Sequence, residues 1–415
     1  MSEPTIPHKV PFTPYQWRLF FFLSVATFFE GFDMFALTQI LPSLTREWRL
    51  SAPELGLLAA ATNAGTMLAY FLVRSADRWG RKSVLSVTIV GYTIASLMTA
   101  FAQGPVTFAL LQCVARIFLI GEWTTAMVYA SEEFPADRRG TVVGTIQAVA
   151  SVGAIVCAGV VPFLLKTSLG WRSIYVVGAL PLIAIAFARR TLRESSRFEK
   201  VKAEGELKRQ PLLALLKGPH AKRLLQLGLI WSCTYVCTQN TVTFFKQFVV
   251  NERHWSDAQV GKVISLAALI SMPLVFGAGK LLDGLGRRRS AVVVYFALVF
   301  GCLGAFTLTQ TVPLTIALVL NVFAQSAVLA LLNAYTGELF PTHVRGDAFA
   351  WANNILGRIG YVLSPIVLGR MAQSVGWGPA IASTAGFAAI ALVLILLWLP
   401  ETRGLELEQI AAETH

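Results

Sequence analysis

The sequence predicts an all-α membrane protein with twelve transmembrane helices in two pseudo-symmetric six-helix bundles. Apolar residues make up 55% of the chain and charged residues only 14%, whereas a soluble domain carries about 25% charged residues. No soluble core is large enough to bury this much apolar sequence, so lipid is the expected solvent. Two charged turns, 77–82 and 283–288, also match at an offset of 206 residues in a chain of 415. Such a parallel repeat is typical of a chain built from two similar helical bundles.

Twelve apolar runs are long enough to span a bilayer, which requires about 20 residues of α-helix. The runs cover residues 17–43, 54–74, 83–103, 105–130, 141–165, 172–190, 221–248, 258–282, 290–309, 311–336, 347–372 and 377–399. The longest polar stretch separates the sixth run from the seventh. Residues 1–190 are therefore expected to form the N-terminal bundle, 191–220 a cytoplasmic linker, and 221–415 the C-terminal bundle with a short cytoplasmic tail.

The distribution of Lys and Arg predicts the orientation of the chain in the membrane. The turns expected on one side hold 25 basic residues, and those on the other side hold seven. Because basic loops tend to remain in the cytoplasm, the first side is predicted to be cytoplasmic, with both termini on the inner side of the plasma (inner) membrane. The more basic side comprises residues 1–18, 74–82, 138–139, 189–223, 280–289, 345 and 403, and the other side 44–53, 166–172, 246–256 and 370.

Charge and cysteine usage argue against several other classes of protein. The net charge of +12 would suit a nucleic-acid-binding protein, but the basic residues lie in short loops between apolar runs. The five cysteines fall inside apolar runs, where packing is their expected role. The sequence contains no phosphate-binding loop, nucleophile–base pair or metal-ligand spacing. We therefore expect no enzymatic activity, no cofactor, no metal and no nucleic-acid partner.

The repeated turns place an acidic residue beside several basic ones. Residues 77–82 read DRWGRK between runs two and three, and residues 283–288 read DGLGRR between runs eight and nine. Ion pairs among such residues can bridge neighbouring helix ends and hold one of two conformations. Alternatively, these charges serve only to fix the topology.

Further motifs accompany these turns and complete a resemblance to a known family. Residues 132–140 read EEFPADRRG, residues 335–346 read YTGELFPTHVRG, and residues 400–405 read PETRGL. Together with the turns, they resemble the signatures of the major facilitator superfamily, in particular its sugar porters and its aromatic-acid and organic-acid:proton symporters. The resemblance implies the major facilitator fold and a cytoplasmic gate of charged residues that opens when the protein opens inward. The residues carried over to this gate are Asp77, Arg81, Glu132, Arg139, Asp283, Arg287, Glu338, Arg345 and Glu401.

The first helix carries two carboxylates, Glu30 and Asp33, about one turn apart on the same face. They lie about 20–24 Å along a run that rises 1.5 Å per residue, which places them within the membrane. Ionised carboxylates are costly at that depth, so proton exchange at these positions is expected. A polar contact with a neighbouring helix is the alternative. The position of Asp33 resembles that of the proton-coupling aspartate of sugar and organic-acid symporters.

The fourth helix carries Arg116 and Glu122, which lie on different faces and each need a partner on another helix. In sugar porters a fourth-helix arginine partners the first-helix aspartate, and the family spacing places that arginine at Gln112, one turn before Arg116. The resemblance therefore suggests that Arg116 partners Asp33. Glu122, followed by Trp123, resembles the Gly-Gly-Glu segment of the organic-acid symporters and joins the predicted proton-coupling residues. A buried hydrogen-bonding role is the alternative.

Arg358, about halfway along the eleventh helix, is a candidate for substrate binding. A cation at mid-membrane either pairs with protein or binds an anion. In organic-anion members of the superfamily, an arginine of this helix contacts the negative group of the substrate. An internal salt bridge with Glu30, Asp33 or Glu122 is the alternative. The other residues predicted to bind substrate are Gln239, Asn240, Trp123, Tyr361 and Asn354.

These features favour a secondary transporter that alternates access by rocking of its two bundles. The preferred mechanism is symport of a proton and a small organic anion into the cytoplasm by a functional monomer. In this mechanism Asp33 takes the proton, Arg116 modulates the pKa of Asp33, and Arg358 contacts the substrate carboxylate. Two alternatives remain open, a porter for sugars or polyols and a proton antiporter that exports drugs or metabolites. A neutral sugar needs no buried cation, which speaks against the first.

Overall fold

A computed structural model of the chain describes residues 12–195, 199, 216, 218, 220–340 and 344–402, apart from the side chains at 76–78, 136–137, 139–140, 276, 283 and 345. Within these residues the chain is helical, with short turns and no strand. Most of the predicted linker and the tail after residue 402 lie outside the described residues. The same holds for the side chains of four predicted gate residues, Asp77, Arg139, Asp283 and Arg345.

The N-terminal half forms six long helices joined by short turns. Their bounds are α1 Pro14–Trp48, α2 Ala52–Trp79, α3 Arg81–Thr99, α4 Pro105–Glu133, α5 Ala136–Leu164 and α6 Arg172–Ala188. Local sequence explains some of these bounds, because a capping box at Thr13 begins α1 and a proline begins α4. A 3₁₀ turn, Arg189–Thr191, follows α6.

The C-terminal half repeats this arrangement with two composite helices. α7 is Ala221–Asn251, α8 is Asp257–Leu285, α9 is Arg287–Thr307 and α10 is Thr311–Glu338. α11 consists of Arg345–Phe349, a π-helical segment Ala350–Gly357, and Arg358–Val375. α12 consists of Trp377–Ala382 and Ala385–Trp398.

Eleven of the described helices are long and apolar enough to cross a membrane. The exception is α7, whose 31 residues include the buried polar side chains of Asn240, Lys246 and Gln247. These side chains face protein rather than lipid, which is where polar groups within a membrane are expected. The structure therefore agrees with the prediction of an all-α membrane protein, and α7 accounts for the twelfth helix.

The backbone explains the glycine of each repeated turn. Gly80 and Gly286 are the single residues that separate α2 from α3 and α8 from α9, and their φ angles are 92° and 85°. Residues with a side chain rarely adopt this region. A Cβ atom at Gly286 would also lie only 2.8 Å from a carboxylate oxygen of Glu401. A one-residue turn between two long helices therefore requires glycine at both positions.

The two halves contact each other most closely at the end of the protein remote from the repeated turns. We call the end with these turns the motif face and the other end the opposite face. Gly56 of α2 lies against α11 near the opposite face, where an added Cβ would lie 2.2 Å from the Pro365 carbonyl oxygen. The side-chain amide of Gln247 also donates to the Thr45 hydroxyl of the other half at 3.1 Å. The space between the halves therefore lies toward the motif face.

Candidate substrate and proton sites

Of the cavities that the described residues form between the halves, two are lined by predicted site residues. The motif-side cavity has a volume of about 560 Å³ and extends from Arg74 and Arg81 at the motif face to Arg358 in α11. The central cavity, of about 260 Å³, is lined by residues of α1, α4, α5, α7 and α11. Tyr361 lines the central cavity one turn beyond Arg358, so α11 forms a wall of both cavities.

Arg358 contributes a cation to the wall of the motif-side cavity. Its guanidinium carbon lies 5.3 Å from the centre of the Tyr361 ring, and the Tyr235 ring meets Tyr361 edge-on at 5.5 Å. Among the described residues, its buried Nε atom has no hydrogen-bond partner, and no carboxylate forms an ion pair with its guanidinium. The internal salt bridge considered as an alternative is therefore absent from this part of the chain. A guanidinium with an open donor is suited to binding an anion.

A π-helical segment immediately before Arg358 shapes the same wall. Such segments are rare and frequently occur at functional sites. Asn353 of this segment lines the cavity and accepts a hydrogen bond from the Tyr235 hydroxyl at 2.6 Å. Gly360 allows α11 to lie directly on α7, because a Cβ there would lie 2.4 Å from the Ser232 carbonyl oxygen. Packing on α7 therefore fixes where α11 presents its polar residues.

The structure brings most of the other predicted substrate-binding residues to these cavities. Asn240 is the exception, since its amide donates to the Ser364 hydroxyl at 2.6 Å. This bond places Asn240 in the contact between α7 and α11, and Asn240 is not among the residues that line the two cavities. The residues that do line a cavity are Trp123 and Asn354 on the motif side and Gln239 and Tyr361 in the centre.

Asp33 and Arg116 are buried together beside the central cavity. Asp33 accepts a hydrogen bond from the Ser96 hydroxyl at 3.3 Å, and Arg116 attracts its carboxylate electrostatically. However, the Arg116 guanidinium donates to the Met34 carbonyl oxygen at 3.3 Å and also contacts the Met34 sulfur. Its buried Nε atom has no partner among the described residues. The two side chains are thus neighbours without a direct salt bridge.

Glu122 has a partner that the sequence pattern did not single out. Its carboxylate forms an ion pair with Arg189, the residue that follows α6, and accepts a hydrogen bond from the Thr88 hydroxyl at 2.5 Å. Glu30 lies within electrostatic range of both charges, yet neither of its carboxylate oxygens has a hydrogen-bond partner in the described part of the chain. The sequence indicated only that Glu122 needs a cation from another part of the chain, and it did not identify Arg189 as that cation.

At the motif face, the same ion pair occurs in both halves. Arg81 Nη2 lies 3.1 Å from a Glu132 carboxylate oxygen, and Arg287 Nη2 lies 2.7 Å from the corresponding oxygen of Glu338. Each arginine begins the third helix of its half, and each glutamate lies in the last turn of the fourth. Each pair joins helices of one half only, so both pairs can persist while the halves separate at this face.

A second carboxylate supports each of these ion pairs. Glu194 accepts hydrogen bonds from the first two backbone N–H groups of α3 at 2.8 and 3.1 Å. Glu401 does the same for α9 at 2.7 and 3.0 Å. The sequence pattern predicted Glu401 alone, because the matching segments LRES at 192–195 and LPET at 399–402 are offset by 207 residues instead of 206. Glu194 is therefore an additional member of the motif-face network.

We expect Glu194→Gln and Glu401→Gln to destabilise the protein by similar amounts. A carboxylate at a helix N-terminus accepts charge-assisted hydrogen bonds, and losing such a cap costs about 1 kcal/mol. Both variants should lower the midpoint of thermal unfolding in detergent. Glu199→Gln changes an exposed acid nearby and is the matched control that should leave the midpoint unchanged. A decrease in only one of the two variants would contradict the equivalence of these caps.

Comparison with known proteins identifies the family. The family model described as Major Facilitator Superfamily matches residues 23–365. The chain belongs to the major facilitator superfamily. This major facilitator protein is 25% identical over 414 residues to a probable 4-methylmuconolactone transporter of Cupriavidus pinatubonensis, covering 97% of this chain and 95% of that protein. It is also 25% identical over 387 residues to the putative niacin/nicotinamide transporter NiaP of Bacillus subtilis, covering 92% of this chain and 95% of NiaP.

Solved structures show the same major facilitator fold. The inward-open form of the xylose transporter XylE from E. coli has a TM-score of 0.79 to this chain at 17% identity, covering 96% of this chain and 100% of that one. At this identity the likeness concerns the fold alone. Family membership confirms the sequence-based prediction of a multi-pass membrane transporter, as opposed to an enzyme.

Proposed function

We propose that this major facilitator protein imports a small organic anion, an aromatic or other carboxylic acid, together with a proton. Arg358 is the observation that carries the proposal. Its guanidinium lies on the wall of the cavity between the halves, with an open Nε donor and no ion-pair partner among the described carboxylates. A carboxylate substrate balances this charge, whereas a neutral sugar leaves it unpaired.

The walls of the motif-side cavity suit an acid that carries a ring. Trp123 and Tyr235 supply aromatic surface, and Asn353 and Asn354 supply hydrogen-bonding groups. The volume of about 560 Å³ falls within the range of about 300–1,000 Å³ for small-molecule sites. Niacin, which appears in the name of one similar protein, is an aromatic carboxylic acid and supports this substrate class.

Asp33 is the residue that we propose takes up the coupled proton. It is buried beside the wall of the central cavity, where Arg116 is the cation that acts on it. A proton that crosses with a monocarboxylate makes the transported charge zero, which lowers the cost of moving the substrate through a membrane-embedded site. Glu30 and Glu122 lie in the same half and belong to the proposed proton-coupling group.

Alternating access follows from a rocking motion of residues 1–190 against residues 221–415, with 191–220 as the connecting linker. The concentration of basic residues at the motif face supports a cytoplasmic location for this face and for both termini, in an inner membrane. The contacts at the opposite face would open in the outward-facing state. A functional monomer is part of this proposal.

Transport by purified protein in proteoliposomes tests this proposal. With an acidic exterior, we expect radiolabelled niacin or benzoate to accumulate inside, and a protonophore should abolish the accumulation. Labelled xylose and a cationic drug should not accumulate under the same gradient. Accumulation of xylose without carboxylate uptake would establish a sugar porter instead, and proton-driven drug export would establish an antiporter.

A further inference from the structure

We infer that Glu30, Glu122 and Arg189 form a second proton-binding site, in which two buried carboxyl groups share one guanidinium and one proton. The site lies in the N-terminal half and is separate from the pair formed by Asp33 and Arg116. The role of this site in transport rests on the proton coupling proposed above. The binding of a proton at the site does not depend on that proposal.

The charges of the cluster require a proton. The exposed fractions of Glu30, Glu122 and Arg189 are 3%, 0% and 1%, so water does not solvate them. Two carboxylates and one guanidinium leave one negative charge uncompensated, and a buried charge without a partner is strongly unfavourable. One bound proton makes the cluster neutral.

In this conformation Glu30 holds the proton. The Glu122 carboxylate is already engaged by the ion pair with Arg189 and by the Thr88 hydroxyl. Both oxygens of Glu30, in contrast, lack a hydrogen-bond partner among the described residues. A neutral carboxyl group loses less solvation energy in such surroundings than a carboxylate does.

Arg189 has the open donors needed to change partners. Its Nη1 atom binds Glu122, whereas its buried Nε and Nη2 atoms have no partner within the described residues. Once Glu30 releases its proton, these donors can bind the new carboxylate. The single guanidinium thereby links the proton on Glu30 to the strength of the bond with Glu122.

The surroundings of Glu30 contain no second cation that would replace Arg189 within the described chain. From α5, Ala150 and Gly153 approach α1 with backbone atoms. Asp33, one turn along α1, has its own cation in Arg116. The charged or ionisable side chains that act on Glu30 from the helices packed around it are Tyr92 of α3, Glu122 of α4 and Arg189 after α6.

Arg189 also connects the cluster to the motif face. Its carbonyl oxygen accepts a hydrogen bond from the Leu192 N–H at 3.0 Å, and the chain then reaches Glu194, which caps α3. The next residue, Ser195, donates to the Glu132 carboxylate at 2.5 Å. Arg189 thus lies in the same short segment as the residues that support the ion pair of the first half.

Infrared spectroscopy of the full-length protein in nanodiscs tests the site without any substrate. The C=O stretch of protonated carboxyl groups is measured at neutral pH, before and after exchange into deuterium oxide. An Asp33→Asn background removes the contribution of the other buried acid. In this background we expect one protonated carboxyl group per molecule.

Substitutions of Glu30, Glu122 and Arg189 should each change the number of protonated carboxyl groups per molecule in a defined way. Glu30→Gln should remove the band, because the proton carrier is gone. Glu122→Gln should also remove it, because Glu30 then pairs with Arg189 and the cluster is neutral without a proton. Arg189→Gln should double the band, and Arg189→Lys, which keeps the charge, should leave one.

Two results would overturn the inference. A band that survives Glu30→Gln would show that Glu30 does not hold the proton. A band that survives Glu122→Gln but not Glu30→Gln would show that the two acids do not share Arg189. Size-exclusion profiles and unfolding midpoints identify misfolded variants, and the Glu30→Gln and Glu122→Gln spectra decide the inference if Arg189→Gln does not fold. Because these spectra need no substrate, their failure leaves the proposed carboxylate transport untouched.

Discussion

Replacing Arg358 by glutamine is expected to raise the half-saturating carboxylate concentration for uptake by about 30-fold or more. The substrate carboxylate would then lose its cation, which is half-buried on the cavity wall. Removing one partner of a buried charge pair costs about 2–5 kcal/mol, and each 1.4 kcal/mol corresponds to about tenfold in affinity. Initial rates of proton-driven uptake into proteoliposomes, measured over a series of substrate concentrations, give this value.

Two matched variants separate charge from shape and from general damage. Arg358→Lys keeps the charge but loses the planar fork that binds a carboxylate through two hydrogen bonds, so we expect a smaller loss. Arg370→Gln removes an exposed arginine from the same helix and should leave uptake unchanged. If Arg358→Gln transports with the affinity of the original protein, the substrate carboxylate binds elsewhere.

Replacing Asp33 by asparagine is expected to abolish accumulation driven by a pH gradient while preserving exchange of substrate across the membrane. The amide has nearly the shape of a neutral carboxyl group, so the protein can still pass between its conformations. It cannot release a proton, so the gradient no longer drives net uptake. Uptake under an imposed gradient and counterflow into substrate-loaded proteoliposomes measure the two activities separately.

The control for this substitution is Glu54→Gln, which neutralises an exposed acid near the opposite face and should leave both activities intact. Loss of counterflow together with accumulation in Asp33→Asn would point to a structural defect. Full accumulation by Asp33→Asn would remove Asp33 from proton coupling.

The repeat and the family resemblance together pointed to the charged residues of the motif face, but not to which of them pair. Arg81 and Glu132 recur as Arg287 and Glu338, and each pair forms between the ends of neighbouring helices in its own half. The two residues of each pair are 51 positions apart, so packing of the third helix on the fourth brings them into contact. Glu194 and Glu401 are 207 positions apart, one more than the repeat offset of 206, so a comparison at that offset does not match them.

The buried residues were harder to assign because a side chain within a helix bundle takes its partner from another helix. Glu122 needs a cation, and only the packing of α3, α4 and α6 shows that Arg189 supplies it. Asn240 lies beside Gln239 in the sequence, yet it faces α11 whereas Gln239 faces the central cavity. A rotation of about 100° per residue separates two such neighbours on a helix.

The sequence by itself determined the membrane class, the doubled architecture, the charged turns and the identity of the buried charges. These follow from hydropathy, repetition and charge, which are properties of the chain in one dimension. Only the tertiary structure decided which charges meet: Glu122 binds Arg189, Asp33 neighbours Arg116 without a salt bridge, and Arg358 faces a cavity. The physical reason is that burial forces each charge to find a partner within a few ångströms, and helix packing sets which partners are in reach.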